Sequence, residues 1–521
     1  MKRNKKRGAS VGGGRTAAFM SNTMSSLLLQ VVNIVVGFIV PHSIIGAYGS
    51  ATNGLVTSIT QLVGYIQLVE AGISSAAVFQ LYGPLARGDV GEVSRIVSAA
   101  KGFYYKSGGI FTAGLLALAL VYPLAVDVHG MPAPEVFVLV LALGATAFLD
   151  FFTLAKYQVL LTATQHNWVI QLGTVVYKAL YAAVVIALAS PGTPVAAIYV
   201  VAIVPIVLRS LVLIVYAKRH YPEVDFSADA KGLKLDQRWD AFFLQVLGAV
   251  QSGAPTVIAT FVLGDLSMVS VMAVYLLVAN GIQNAVNSVT QGTQASFGDV
   301  IARGETKTLQ KSFREFQVVV YGVSGLLCGV AMALTVPFVR LYTADVADVN
   351  YVYPLIGFLA ILNVLLYHLK TPQGLLVVSA GLYRDTRIQT SLQTVILVVC
   401  AIIFGKLWGV SGILLGCCLS NLYRDLDLMF FIPREVTHTR PSETFGLMLA
   451  ACAVCACVAV PYLALDPPCA SWLQWVLSGG VLLAWGLLVT AAVYRVVAPN
   501  QLRGLAARVS RLLDVKPKGM R

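Results

Sequence analysis

Charged side chains are scarce in this sequence. Asp, Glu, Lys and Arg make up 12% of its 521 residues, whereas hydrophobic residues make up 57%. A soluble domain carries about 25% charged residues, because its whole surface meets water. So few charges exclude a soluble enzyme of this length, and the composition predicts an integral membrane protein.

Cysteine and histidine lack the spacing that builds a metal site or a disulfide framework. The eight cysteines lie almost all inside apolar runs, without paired histidines or a CxxC…CxxC arrangement. We interpret these cysteines as small apolar packing residues. We therefore expect no metal and no cofactor.

Long apolar runs are present instead, and they indicate the fold class. A helix needs about 20 apolar residues to cross the hydrocarbon core, where no water satisfies open backbone groups. On that basis we predict an all-α polytopic membrane protein of about 14 transmembrane helices. The predicted spans are 18–41, 50–80, 101–125, 134–161, 167–190, 194–217, 240–263, 268–299, 314–340, 350–380, 388–405, 409–431, 444–464 and 471–494.

Lys and Arg are concentrated in alternate loops, and such an excess marks the cytoplasmic side of a membrane protein. The loops assigned to the outside are short and carry mainly acids, such as Asp127, Glu135 and Asp265. Both termini are therefore predicted to be cytoplasmic. The net charge of +13 is explained by this topology and by anionic membrane lipids, so we expect no nucleic-acid partner.

The sequence contains an internal repeat. Leu85-Ala86-Arg87-Gly88-Asp89 returns as Ile301-Ala302-Arg303-Gly304-Glu305, and, with a shift of one residue, Gln158 falls on Gln373. Six spans per repeat give both halves the same orientation. We therefore predict two parallel-repeat six-helix lobes plus two C-terminal helices. The predicted segments are a basic cytoplasmic N-terminus (1–17), an N-lobe (18–220), a cytoplasmic linker (221–239), a C-lobe (240–435), spans 13 and 14 (436–494) and a basic cytoplasmic tail (495–521).

Three stretches carry a further pattern. They are Asn22…Asn33…Pro41…Gly46…Tyr48-Gly49…Asn53-Gly54-Leu55, then Lys370-Thr371-Pro372-Gln373-Gly374-Leu375-Leu376 with Ser379 to Thr386, and Trp408 to Gly416 with Asn421-Leu422-Tyr423-Arg424. From about residue 18 to 435 the chain thereby resembles bacterial polysaccharide flippases of the multidrug/oligosaccharidyl-lipid/polysaccharide (MOP) exporter superfamily. A typical member has Arg at the position of Lys370, so the charge is kept while bidentate phosphate geometry is lost.

The resemblance implies a transporter and not an enzyme. The expected activity is export of an undecaprenyl-diphosphate-linked oligosaccharide from the inner to the outer leaflet of the bacterial cytoplasmic membrane, for cell-surface polysaccharide biosynthesis. Parallel-repeat transporters rock one lobe against the other, so we expect alternating access through a cationic cavity between the lobes. Expected partners are the lipid-linked glycan, membrane lipids, and a glycan polymerase or glycosyltransferase.

Two alternatives come from the same superfamily, and one comes from a different class. A lipid-linked peptidoglycan precursor flippase has the same predicted number of spans and a cationic cavity, and a cation-coupled multidrug exporter would need an acid-rich cavity. A membrane-embedded glycan polymerase or ligase would need catalytic groups on a large outer loop. The short outer loops argue against the enzyme.

Cations inside the predicted spans are the first functional candidates, because an unpaired charge in the bilayer is costly. They are Lys178 near the middle of span five, Arg209 in span six, Lys156 in span four and Lys370 in span ten. The repeat puts Lys370 one residue from the counterpart of Lys156. Fixed cations in a wet cavity would hold a diphosphate, so we assign substrate binding to all four. Snorkelling to the inner interface is the alternative for Lys156 and Arg209.

Two acids inside the spans are candidates for ion coupling. Glu70 lies in span two and Asp150 in span four. They would bind Na⁺ or H⁺ during transport. The alternative is that they neutralise Lys156 and Arg209.

Amide side chains form a row in span eight. Asn280, Asn284, Asn287, Gln291 and Gln294 are separated by three or four residues, so they share one helix face. Sugar hydroxyls need such neutral donors and acceptors. We assign substrate binding to Asn280, Asn284, Asn287 and Gln291, with bonding between helices as the alternative.

Overall fold

The chain is built from α-helices. A computed structural model describes residues 11–70, 73–128, 130–230, 238–290 and 293–505, and these ranges contain no β-strand. Helices α1 to α9 are Val11–Tyr48, Ser50–Gln67, Ile73–Arg87, Val90–Ala125, Ala133–Leu149, Ala155–Ala163, Asn167–Leu188, Val195–Val201 and Ile203–His220. Helices α10 to α18 are Arg238–Ile258, Leu266–Thr290, Thr293–Ala302, Thr306–Tyr342, Pro354–Leu369, Thr371–Ser379, Arg387–Ile432, Pro441–Leu465 and Trp472–Val497.

The predicted membrane architecture is confirmed. In the described residues, 12 helices are long and apolar enough to cross a membrane. The count differs from the prediction at two places. Predicted spans eleven and twelve both lie within α16, and predicted span two corresponds to α2 and α3, on either side of residues 71–72. Within the described residues, each predicted span therefore corresponds to one or more helices, and the protein is a multi-pass membrane protein.

Helix α16 is two helices joined by a tight turn. Trp408 and Gly409 leave the helical conformation, and Gly409 has a φ of 61°, which favours glycine. Beyond the turn, a Cβ added at Gly412 would lie 1.9 Å from the carbonyl oxygen of Phe404, and one at Gly416 would lie 2.5 Å from the nitrogen of Ala401. The two segments therefore run antiparallel, with backbones so close that only glycine fits at both positions.

The chain divides into two compact units. Unit 1 comprises residues 1–253 and 264–267, and unit 2 comprises residues 254–263 and 268–521. The predicted boundary between the lobes preceded span seven, whereas the boundary between the units lies inside this span. The segment 254–263 contains no charged residue and reads as a continuous apolar run, so the sequence gives no sign of this position.

Unit 1 has a continuous apolar core. The core of unit 2 includes residues of the two C-terminal helices, α17 and α18. In unit 1, Leu55, Phe111, Leu139 and Val159 bring α2, α4, α5 and α6 together with no exposed side-chain surface. In unit 2, α13 packs against α17 through a small-residue pair, because a Cβ at Gly325 would lie 2.6 Å from the carbonyl oxygen of Ala451. Small residues allow this close approach of membrane helices.

The internal repeat is visible in the backbone. Gly88 and Gly304 have φ values of 71° and 69°, and the same hydrogen bonds surround both: Gly88 N–H to Leu85 O at 3.3 Å and Gly304 N–H to Ile301 O at 3.0 Å. The turns after α6 and α15 are also equivalent, with left-handed conformations at Gln165 and Gly381.

Both pairs of turns are 216 residues apart. The shift of one residue predicted near Gln158 and Gln373 is therefore absent at the turn that follows them. At an offset of 216, Lys156 corresponds to Pro372, two residues from Lys370 and not one as predicted.

Candidate substrate and coupling site

A partly buried ion pair joins two helices of unit 1. Asp150 lies where α5 passes into a π-helical segment, Asp150–Leu154. Arg209 on α9 donates a hydrogen bond from Nη2 to Oδ1 of Asp150 at 3.1 Å, and its side chain is 7% exposed. The guanidinium carbon is also 5.6 Å from the ring centre of Tyr177. This ion pair agrees with the alternative prediction, in which Asp150 neutralises Arg209.

Glu70 belongs to the same cluster. It ends the short 3₁₀ segment that follows α2, interacts electrostatically with Asp150 and forms a side-chain hydrogen bond with Gln67. The phenol of Tyr104 on α4 is also within electrostatic range of Glu70. The two predicted ion-coupling residues are thus neighbours, although they lie 80 positions apart in the sequence.

Lys178 lies on α7 near this cluster and is half-buried. It interacts electrostatically with Arg209, another cation. Within the described residues Lys178 has neither a hydrogen bond nor an ion pair. Two positive charges near one another in the interior of a membrane-spanning unit repel, unless an anion is present.

Lys156 lies among aromatic rings and not beside an acid. Its Nζ is 5.8 Å from the ring centre of Tyr105 and 5.2 Å from that of Tyr157. The ring of Tyr157 in turn contacts that of Phe226, with centroids 4.7 Å apart. Among the residues that the structure describes, no carboxylate forms an ion pair with Lys156, so the alternative in which an acid neutralises Lys156 is not seen there. Ring faces stabilise an ammonium without cancelling its charge.

Lys370 anchors a polar network in unit 2. It lies at the break between α14 and α15, is 8% exposed, and donates a hydrogen bond from Nζ to Oδ1 of Asn421 at 2.6 Å. Asn421 donates to Oδ1 of Asn363 at 2.8 Å, and Gln393 donates to the same Oδ1 of Asn421 at 3.3 Å. Three helices, α14 and both arms of α16, are thereby connected through Asn421.

Sequence reasoning missed three charged residues of this region. Arg424, Asp425 and Asp427 all fall inside predicted span twelve, and their position there was the signal that could have identified them. Arg424 forms an ion pair with Asp427 and donates from Nη2 to Oγ1 of Thr390 at 3.0 Å. Asp425 is 3% exposed and interacts electrostatically with Lys370. Embedded acids therefore occur in both units.

The amide row of α11 is on an open face of the helix. Asn280 and Asn284 are exposed and Asn287 is half-buried, whereas Val286 on the opposite face is fully buried. Their side-chain amides have no hydrogen-bond partner within the described part of the chain, which argues against bonding between helices. Gln291 lies outside the described residues. Exposed amides on a membrane-spanning helix indicate a wet surface, because lipid offers no hydrogen bonds.

Similar proteins were found by structure and not by sequence. No protein-family model matches the chain, and no curated protein sequence matches it. The lipid II flippase MurJ, in an inward closed conformation, has a TM-score of 0.65 and 13% sequence identity, covering 91% of this chain and 98% of its own.

Two MATE structures are similar as well. An inward-facing MATE family transporter of the MOP superfamily has a TM-score of 0.60 at 15% identity, covering 81% of this chain and 95% of its own. A MATE structure in the bent conformation has a TM-score of 0.54 at 13% identity, covering 83% and 96%. The chain therefore has the fold of MOP superfamily transporters.

Proposed function

We propose that this protein is a flippase that exports an undecaprenyl-diphosphate-linked oligosaccharide from the inner to the outer leaflet by alternating access. It would act in the bacterial cytoplasmic membrane, with both termini in the cytoplasm, and supply cell-surface polysaccharide biosynthesis. Glycosyltransferases that build the cargo and a polymerase that uses it are the proposed partners. The transporter fold supports this class of activity, and the residues of unit 1 support the chemistry of the cargo.

The observation that carries the proposal is the position of Lys178 beside Arg209. Asp150 already pairs with Arg209, and Lys178 has no ion-pair partner of its own within the described residues. A half-buried charge inside a membrane span is costly, and an anion that binds beside Lys178 would offset this cost. A diphosphate has the required charge and can accept several hydrogen bonds at once.

The amide row supports a sugar on the same cargo. Asn280 and Asn284 present free donors and acceptors on an exposed face of α11. Neutral amides bind hydroxyl groups of many orientations. They would therefore tolerate a glycan without determining its identity.

The alternatives are supported by other observations. A lipid-linked peptidoglycan precursor also carries a diphosphate, and MurJ covers more of this chain than either MATE structure does. A cation-coupled drug exporter would use the acids Glu70 and Asp150. However, Asp150 is bonded to Arg209, which leaves less negative charge for a cationic drug.

Transport by the purified protein in liposomes tests the proposal. Three cargoes would be offered under identical ion gradients: an undecaprenyl-diphosphate-linked oligosaccharide, a lipid-linked peptidoglycan precursor and a cationic dye. Movement of the oligosaccharide alone, or faster than the precursor, is the expected result. Movement of only the dye would overturn the proposal, and preference for the precursor would replace it with the first alternative.

A further inference from the structure

Asp425 in unit 2 is a buried acid to which the proposed transport mechanism assigns no role. We propose that Asp425 is a proton-binding site, and that its proton controls the charge with which Lys370 meets an anionic cargo. The first part concerns the protein alone, whereas the second part rests on the proposed function.

Asp425 is unusual because neither of its carboxylate oxygens is satisfied. The side chain is 3% exposed, and both Oδ1 and Oδ2 lack a hydrogen-bond partner within the described residues. A buried carboxylate normally accepts several hydrogen bonds, because its negative charge has lost the stabilisation of water. The ionised form of Asp425 therefore receives little stabilisation from hydrogen bonds. Binding of a proton would remove the buried negative charge.

Among the described residues, three groups from other parts of unit 2 interact electrostatically with Asp425. They are Lys370 between α14 and α15, Tyr321 on α13 and Cys452 on α17. The hydroxyl of Tyr321 donates to the carbonyl oxygen of Leu369 at 2.8 Å and accepts from Nε2 of Gln373 at 2.7 Å, so its proton is not available to Asp425. A thiol carries no charge in its protonated form. Lys370 is thus the cation that faces the acid.

The adjacent charges on α16 are occupied elsewhere. Arg424 is bound to Asp427 and Thr390, so its guanidinium does not supply the missing donors. A fixed ammonium already faces the acid, and it would repel Na⁺. In addition, the described residues include no group of three His, Cys, Asp or Glu side chains suited to a metal ion. We therefore expect the cation that binds to Asp425 beside Lys370 to be a proton.

Protonation changes the net charge of the pair by one. With Asp425 ionised and Lys370 protonated, the pair is neutral. A proton from the aqueous phase forms one O–H bond on a carboxylate oxygen and breaks no bond within the protein. The pair then carries a charge of +1, and the ammonium of Lys370 loses its counter-ion. Attraction of Lys370 for a diphosphate therefore becomes stronger when Asp425 binds its proton.

Infrared difference spectroscopy of the full-length protein in nanodiscs, without any cargo, tests the proton site. The wild type should show a protonated-carboxyl band that titrates with pH and shifts in D₂O. The band should disappear in Asp425→Asn and persist in Asp385→Asn, which removes an exposed acid of the same unit. If Asp425→Asn does not fold, Asp425→Glu serves in its place. The glutamate variant keeps a carboxyl group, and its band should appear at a different frequency from that of the wild type.

A titrating band that is unchanged in both Asp425 variants would overturn the proton site. The second part is tested with inorganic pyrophosphate as the probe. Its affinity for the wild type should rise as the pH falls, and Asp425→Asn should remove this dependence. Pyrophosphate binding with the same pH dependence in both proteins would overturn the link to Lys370, whereas failure to transport the oligosaccharide would concern only the proposed function.

Discussion

Arg209 and Asp425 lie 216 residues apart, at equivalent positions of the internal repeat, and carry opposite charges. In unit 1, Arg209 pairs with Asp150. In unit 2, Asp425 faces Lys370. Each unit therefore places an acid and a buried base between the helices of its fourth and sixth spans, with the polarity reversed. One unit has its cation on the sixth span, and the other has its cation on the fourth.

The pair in unit 1 should contribute to stability. Asp150→Asn leaves the guanidinium of Arg209 buried without a counter-charge, and breaking a buried pair in this way costs about 3–5 kcal/mol. The double variant Asp150→Asn/Arg209→Gln removes both charges and should unfold at a higher temperature than either single variant. Thermal unfolding in detergent measures this order. Additive losses in the double variant would show that the two charges do not interact.

The sequence was sufficient to predict helices but not the partners of charged residues. Hydropathy located all the spans, because 20 apolar residues in a row have few alternatives to a membrane helix. The same counting could not place Glu70 beside Asp150, since helix packing brings together residues that are 80 positions apart. Lys178 was recognised for its position within a span, whereas its closeness to Arg209 required the structure.

Some features of unit 2 were missed for a physical reason. Arg424, Asp425 and Asp427 fall near the end of predicted span twelve, and none of them was assigned a role, because the span was considered for its apolar length alone. The structure extends α16 to Ile432 and buries Asp425. The repeat itself pointed to this position, because its counterpart Arg209 was already a candidate.

Lys178 should be required for transport and not for folding. Lys178→Ala removes the free cation, and loss of one charged contact of about 1.5–3 kcal/mol corresponds to about tenfold or more in cargo affinity. Lys178→Arg keeps the charge and should keep most of the activity. Lys106→Ala, which removes an exposed lysine of α4, is the matched control. Flux measurements in liposomes that give equal rates for Lys178→Ala and the control would exclude Lys178 from the mechanism.

The hairpin within α16 should tolerate no side chain at its closest contacts. Gly412→Ala would place a Cβ 1.9 Å from a backbone oxygen, and overpacking of this kind costs about 1–3 kcal/mol or more. Gly446→Ala on α17 meets nothing within 4 Å and serves as the control. We expect a lower melting temperature and lower membrane yield for Gly412→Ala alone. Equal melting temperatures would mean that the two arms separate easily.

The amide row should be specific for the sugar portion of the cargo. Asn284 is exposed, so Asn284→Leu should change stability by no more than about 0.5 kcal/mol. Its effect on transport should appear with the oligosaccharide-bearing lipid and be absent with undecaprenyl diphosphate alone. Asn284→Gln keeps the amide and should retain activity. A similar loss of flux for both lipids would assign Asn284 to a step other than sugar binding.

The two repeat turns offer a matched test of their equivalence. Gly88 and Gly304 have φ values of 71° and 69°, and an added Cβ would meet nothing within 4 Å at either position. The cost of alanine is therefore conformational, about 1–2 kcal/mol for a left-handed residue, and it should be the same in Gly88→Ala and Gly304→Ala. Asparagine tolerates this conformation better, so Gly88→Asn and Gly304→Asn should each recover part of the loss. Gly102→Ala, in a helical position with equal space, controls for the added methyl group. If only one of the two alanine variants has a lower melting temperature, only the turn that contains that glycine requires the left-handed conformation.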